Sequence, residues 1–139
     1  MGHEIIVPEG VHKASGYSHA VKARPGATLY IAGQVACDLE GGLVGPGDIV
    51  RQFDQALANF LTVLWDGGGR PEDVVKLTLF VKDKRSYFAL SEEIGKAYRS
   101  HFGKHFPAMT LVEVKDLALD GALVEVEGIA VLSHEEQGR

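Results

Sequence analysis

Residues 123–131 read Leu-Val-Glu-Val-Glu-Gly-Ile-Ala-Val. The period is two, which fits an extended strand and no helix. Successive side chains of a strand point to opposite faces, so Glu125 and Glu127 share one face while Val124 and Val126 share the other. This constrains the whole chain. The strand must lie in a sheet whose one face meets an apolar core, while its second face meets water, a pocket or another subunit. The segment Phe106–Val114, opened by Pro107, is a second apolar strand just upstream.

The remaining elements follow from local chemistry. Ile5 to Val7 makes a short first strand, ended by Pro8 and Gly10. His19 to Ala23 alternates and stops at Pro25-Gly26, and Thr28 to Gln34 is rich in β-formers, so the turn between them predicts a hairpin. Asp48 is placed to cap a helix whose apolar stripe is Ile49, Phe53, Ala56, Leu57, Phe60, Leu61 and Leu64. Gly67-Gly68-Gly69 ends that helix, and lacks the spacing and the Lys-Ser/Thr ending of a phosphate loop. Val74 to Val81 is a strand with Val75, Leu77, Leu79 and Val81 on one side. A second helix starts near Ser86, carries Leu90, Ile94, Ala97, Tyr98 and His101 or Phe102, and ends at Gly103. The order strands, helix, strand, helix, two strands predicts an α+β fold: a two-layer sandwich of a mixed sheet with two helices on one face. Residues 1–132 form one domain, followed by a polar tail at 133–139. Lys76, Thr78, Glu125 and Glu127 mix with apolar residues on the uncovered sheet face, the composition of a surface that another subunit covers.

A chain of 139 residues carries one core. Its net charge of −5 disfavours nucleic acid, because phosphate binding needs a dense basic patch. The single cysteine, Cys37, cannot close an internal disulfide, and it reads as a structural thiol of a reducing compartment. No stretch has membrane length and no leader pattern is present, so the expectation is a cytoplasmic protein with no membrane partner. The six histidines show neither HExxH nor paired ligand spacing, and no metal site is expected.

Pro107-Ala108-Met109-Thr110, a short spacer and the Glu125-Val126-Glu127 pair resemble the C-terminal signature of the reactive-intermediate deaminase family, RidA or YjgF. Tyr17-Ser18-His19-Ala20-Val21 resembles the family's early Tyr-containing strand. Ile31-Ala32-Gly33-Gln34 is similar to its Ala-Gly-Gln strand end, and Gly47-Asp48-Ile49 with Gln52, Gln55 and Asn59 to the start of its first helix. The resemblance runs from about Tyr17 to Val131. It implies a chorismate-mutase-like fold, a homotrimer with clefts between subunits, and cofactor-free hydrolysis of small imines or enamines. It places Glu125 on the catalytic, water-activating Glu. Tyr17 and Gly33 fall at substrate-binding positions, and Ser91 falls roughly where the family often has a pocket Asn.

One position departs from the signature. The family carries Arg between Pro-Ala and Thr/Ser, and that Arg forks onto a substrate carboxylate. Here the residue is Met109, a polarizable thioether that makes a substrate-binding cleft more apolar, with the Thr110 hydroxyl beside it. The expected substrate is bulkier, less anionic or gripped differently, with Lys76, Lys82 or Arg24 of a neighbouring subunit as replacement cations. The competing expectation is a trimer of the same fold that binds a small metabolite without turning it over.

Overall fold

The computed structural model describes residues 2–133. Six strands and three helices follow in the order β1 (Glu4–Ile6), β2 (Ala20–Lys22), β3 (Ala27–Gln34), α1 (Ile49–Asp66), β4 (Val74–Val81), α2 (Lys84–Ala89), α3 (Ser91–Phe102), β5 (Ala108–Glu113) and β6 (Val124–Leu132). The main sheet has the order β3-β6-β4-β5. β6 runs antiparallel to both neighbours, whereas β4 and β5 are parallel. The sheet is therefore mixed, as the segment order predicts.

The helical layer forms where the stripes fall. The Asp48 side chain accepts a hydrogen bond from the Arg51 N–H at 3.1 Å, which satisfies one of the free donors at the start of α1. Ile49, Phe53, Ala56, Leu57, Phe60, Leu61 and Leu64 are all buried by that helix. From α3, Ile94, Tyr98 and Phe102 join them. From the sheet come Val74, Leu77, Leu79 and Val81 of β4 and Val124, Val126, Ala130 and Leu132 of β6. Gln52 sits fully buried in this apolar layer. Its Nε2 donates to the carbonyls of Gly45 and Gly121, both at 3.1 Å, and its Oε1 accepts from the Leu123 N–H at 2.8 Å. All its polar atoms are used, so its burial carries no unpaired group. Asn59 works similarly, donating to the carbonyls of Val35 and Cys37 at 2.9 and 3.1 Å and tying α1 to the end of β3.

Four expectations need correction. The hairpin between the segments at His19 and Thr28 does not form: β2 pairs with β1, and β3 pairs with β6 at the far end of the chain. The turn at Pro25-Gly26 is a corner instead, closed by His3, whose Nε2 donates to the Val131 carbonyl at 2.8 Å while its Nδ1 accepts from the Arg24 N–H at 2.9 Å. The second helix is two helices, broken at Leu90, whose φ of −111° and ψ of 32° leave the helical region. Within β4 the register shifts between Val74 and Lys76, so Val74 takes the core position expected of Val75. The first strand also sits one residue earlier than expected. Of the polar tail, only Ser133 lies within the described residues.

Candidate active site

Two groupings of the expected site residues emerge, one on each side of the sheet. The first is on the uncovered face. Glu125 and Glu127 lie there together, opposite Phe80 and Thr78 of β4. Glu125 is half-buried and Glu127 exposed. The register of β3 against β6 shifts between Ile31 and Gln34, and this irregularity brings Gly33 against Glu125. A Cβ on Gly33 would overlap Glu125 Oε2 and stand 2.7 Å from its Cδ. Glycine leaves room for this close approach, and a larger residue there would displace the carboxylate end of the Glu125 side chain. Among the described residues the Glu125 side chain has no hydrogen-bond or ion-pair partner. Thr110 is on this face too, exposed, and accepts a hydrogen bond from Lys76 Nζ at 2.9 Å.

The second grouping is on the helical side. Met109 pairs with Leu77 in register and packs against the core. It lines a cavity of about 460 Å³ between β5, α1, α2 and α3, together with Phe53, Tyr98 and Phe106. Ser91 and Arg99 of α3 reach the same cavity, as do Ser15 and Gly16 of the segment before β2. Tyr98 stacks on both Phe102 and Phe106, with ring centroids 4.8 and 5.3 Å apart, and its hydroxyl donates to the His105 carbonyl at 2.7 Å. Burial pushes both phenols up: Tyr87 to about 12, and Tyr98 higher still with a further contribution from Tyr87. Both are neutral near pH 7.

Tyr17 belongs to neither grouping. It sits next to the Met109 cavity in sequence but faces a separate hollow of about 380 Å³ under β1. There its hydroxyl meets His12 Nε2 at 2.7 Å, and the His19 ring lies 5.4 Å from its own. The Ser18 N–H donates to the Pro107 carbonyl at 3.0 Å, so this segment is anchored to the start of β5.

Met109 and Thr110 are neighbours on opposite faces, so the Thr110 hydroxyl does not stand beside the thioether as expected. Of the three cations expected from a neighbouring subunit, Lys82 is paired with Asp116 at 3.0 Å, Lys76 lies on the far face with Glu125, and Arg24 Nε donates to the Gly2 carbonyl at 2.7 Å. Within one copy, among the described residues, the cation lining the Met109 cavity is Arg99. Ser91, Gly95 and Arg99 recur every four residues along one helix face. That spacing is visible in the sequence once α3 is known to face β5. Cys37 is half-buried and free, in a surface depression that it lines with Gln34 and Asn59. Among the described residues no cluster of three or more His, Cys, Asp or Glu could hold a metal ion, and no helix is long and apolar enough to cross a membrane.

A family profile described as Endoribonuclease L-PSP matches residues 9–132. The chain belongs to the RidA/YjgF family. Similar relatives include a RutC family protein of Pyrococcus abyssi, 36% identical over 131 residues that cover 94% of this chain and 98% of that protein. The 2-iminobutanoate/2-iminopropanoate deaminase of Capra hircus is 35% identical over 115 residues, covering 83% of this chain and 79% of that enzyme. Among solved structures, a Rid family protein of unknown function from Yersinia pestis superposes with a TM-score of 0.85 at 37% identity, covering 95% of this chain and all of that one. The α+β architecture is thus that of the RidA/YjgF family.

Proposed function

We propose that this RidA/YjgF chain is a cofactor-free hydrolytic deaminase of reactive imines or enamines, releasing ammonia and a carbonyl compound. The observation that carries this reading is the Gly33–Glu125 contact. Among the described residues this half-buried carboxylate has no partner, and it is held at a strand irregularity where a glycine lets it approach the neighbouring backbone. A structural salt bridge would have a cation there. A general base needs an oxygen left free for the water it activates.

The chemistry is short. Water adds to the iminium carbon while Glu125 takes one of its protons. The product is a tetrahedral carbinolamine. Glu125 returns the proton to the nitrogen, the C–N bond breaks, and the hydroxyl proton passes to the departing ammonia, which leaves as ammonium while the carbonyl forms. The carboxylate ends as it began, so no cofactor is consumed.

Glu125 and the Met109 cavity lie on opposite sides of one sheet, and a single copy does not bring them together. The reading therefore includes a homotrimer in which the Gly33–Glu125 corner of one subunit completes the Met109 cavity of the next, with Tyr17 at the seam. The mixed composition of the uncovered face supports this, since Tyr30 is 77% exposed there beside Ile129, Lys76 and Thr78. Thr110, bonded to Lys76 on the same face as Glu125, belongs to the surface that the next subunit meets, and its substrate-binding role would be exercised from there. The substrate itself is atypical of the family, with a more apolar contact at Met109.

The test is catalysed ammonia release from freshly generated 2-iminobutanoate. The protein should accelerate it, and Glu125→Gln should lose about 10²- to 10⁴-fold of that acceleration with circular dichroism unchanged. A correctly folded oligomer without acceleration on this or larger imines would leave metabolite binding as the function.

A further inference from the structure

The Met109 cavity carries its own anion-binding group. Among the described residues lining it, Arg99 alone is charged and none is a carboxylate. The guanidinium has no hydrogen-bond or ion-pair partner among the described residues; the ion pairs there are Lys82–Asp116 and His101–Asp54. The local sequence accommodates it. A Cβ on Gly95, one turn earlier on α3, would stand 3.0 Å from Arg99 Nη1, so glycine lets the guanidinium fold back along the helix. Ser91, a further turn along the same face, adds a hydroxyl. Apart from Ser15 and two glycines, the rest of the lining is aromatic and aliphatic, and its Tyr87 and Tyr98 phenols are neutral near pH 7. An unpaired fork-shaped cation at the rim of an apolar hollow complements a small carboxylate with an apolar tail.

We propose that Arg99 is the carboxylate-binding residue of this chain. It would grip a 2-imino or 2-oxo acid from α3, while Met109 packs on the ligand's side chain. The consequence is a preference for acids with a larger apolar substituent, because the anion is held from the helix and the strand position is left to a thioether. The catalytic part of this inference rests on the deaminase reading; the binding part does not.

Equilibrium binding separates the two. The probes are 2-oxobutanoate and its uncharged counterpart 2-butanone, followed by calorimetry and by the methionine methyl signal. The chain has two methionines, so the Met109 methyl is readily assigned. The oxoacid should bind and shift that signal. Arg99→Gln should weaken oxoacid binding by about ten- to a hundredfold, in keeping with the loss of a charge-assisted pair, and leave 2-butanone unchanged. Arg99→Lys should fall between. Adding Met109→Arg to the Arg99→Gln variant should restore oxoacid binding by returning a guanidinium to the same cavity. Equal oxoacid binding by wild type and Arg99→Gln overturns the inference, as does failure of wild type to bind at millimolar oxoacid. Glu125→Gln is measured alongside for both oxoacid binding and turnover. If that variant deaminates as fast as wild type while Arg99-dependent binding persists, the deaminase reading fails and this inference stands. If Arg99→Gln is active and its KM for 2-iminobutanoate is unaltered, this inference fails and the deaminase reading stands.

Discussion

The two faces of the sheet obey different rules. On the helical face, Leu77, Leu79 and Val81 of β4 and Val124, Val126 and Ala130 of β6 are each no more than 2% exposed, under a helix whose stripe is equally complete. On the other face, the same two strands present Thr78, Phe80, Glu125 and Glu127. The first face is explained by burial within one chain. The second has too many large apolar groups for a solvated surface and too many charges for a core. The proposed function draws on both faces: Glu125, without a partner among the described residues, lies on the face that the chain's own folding does not use, and Arg99, likewise without one, lies at the rim of the face that it does.

Truncation should separate the faces most sharply. Phe60 is fully buried between α1 and the sheet and lies against the Phe102 ring. Phe60→Ala should cost about 3–5 kcal/mol in chemical denaturation, from lost transfer energy and the cavity left behind. Tyr30→Glu, on the uncovered face, should leave the fold intact by circular dichroism but convert the proposed trimer to monomer in light scattering. A wild-type chain that is already monomeric at micromolar concentration would break the comparison, because the open face would then be a solvent face and the two-subunit cleft would not exist.

A smaller effect tests the helical face by pH. Tyr87 lines the Met109 cavity, and burial raises its phenol from 10.0 to about 12. Between those values the unfolded chain has given up a proton that the folded chain retains. Stability is therefore full below pH 10 and falls as pH rises toward 12. Two pKa units correspond to about 2–3 kcal/mol. Tyr87→Phe should remove that part of the alkaline loss in urea melts, leaving the part that comes from Tyr98, which is shifted in the same direction. An unchanged alkaline limb would mean that Tyr87 is solvated.

What the sequence allowed to be read divides along the same line. Period-two alternation specified β6 and the shared face of Glu125 and Glu127, and period-3.6 spacing specified α1 down to its Asp48 cap, because both are local consequences of burial. The hairpin failed because turn chemistry at Pro25-Gly26 is local while the choice of strand partner is not: β3 is claimed by β6, and β2 is left to β1. The stripe through Ile94, Tyr98 and Phe102 is continuous with Leu90, so it could not reveal the break there. Alternation alone separates Met109 from Thr110, and that inference was available. Arg99 carried no local signal at all. A surface arginine on a helix becomes meaningful only when packing puts it beside a hollow without an acid.

The smallest effect asks whether the faces are independent. Asp48 is exposed and touches neither grouping of site residues; its role is to accept the Arg51 N–H at the start of α1. Asp48→Ala should cost about 1 kcal/mol, or roughly 3–4 °C in melting temperature for a domain of this size. Asp48→Gly should cost only a few tenths, since glycine also suits the cap backbone. Because α1 covers only the helical face, neither change should alter subunit association or the rate with 2-iminobutanoate. If Asp48→Ala lowered activity beyond its effect on the folded fraction, the helix layer would be transmitting strain through β6 to Glu125. The sheet would then have to be treated as one coupled element with two linked sites, and not as a wall between a core and a cleft.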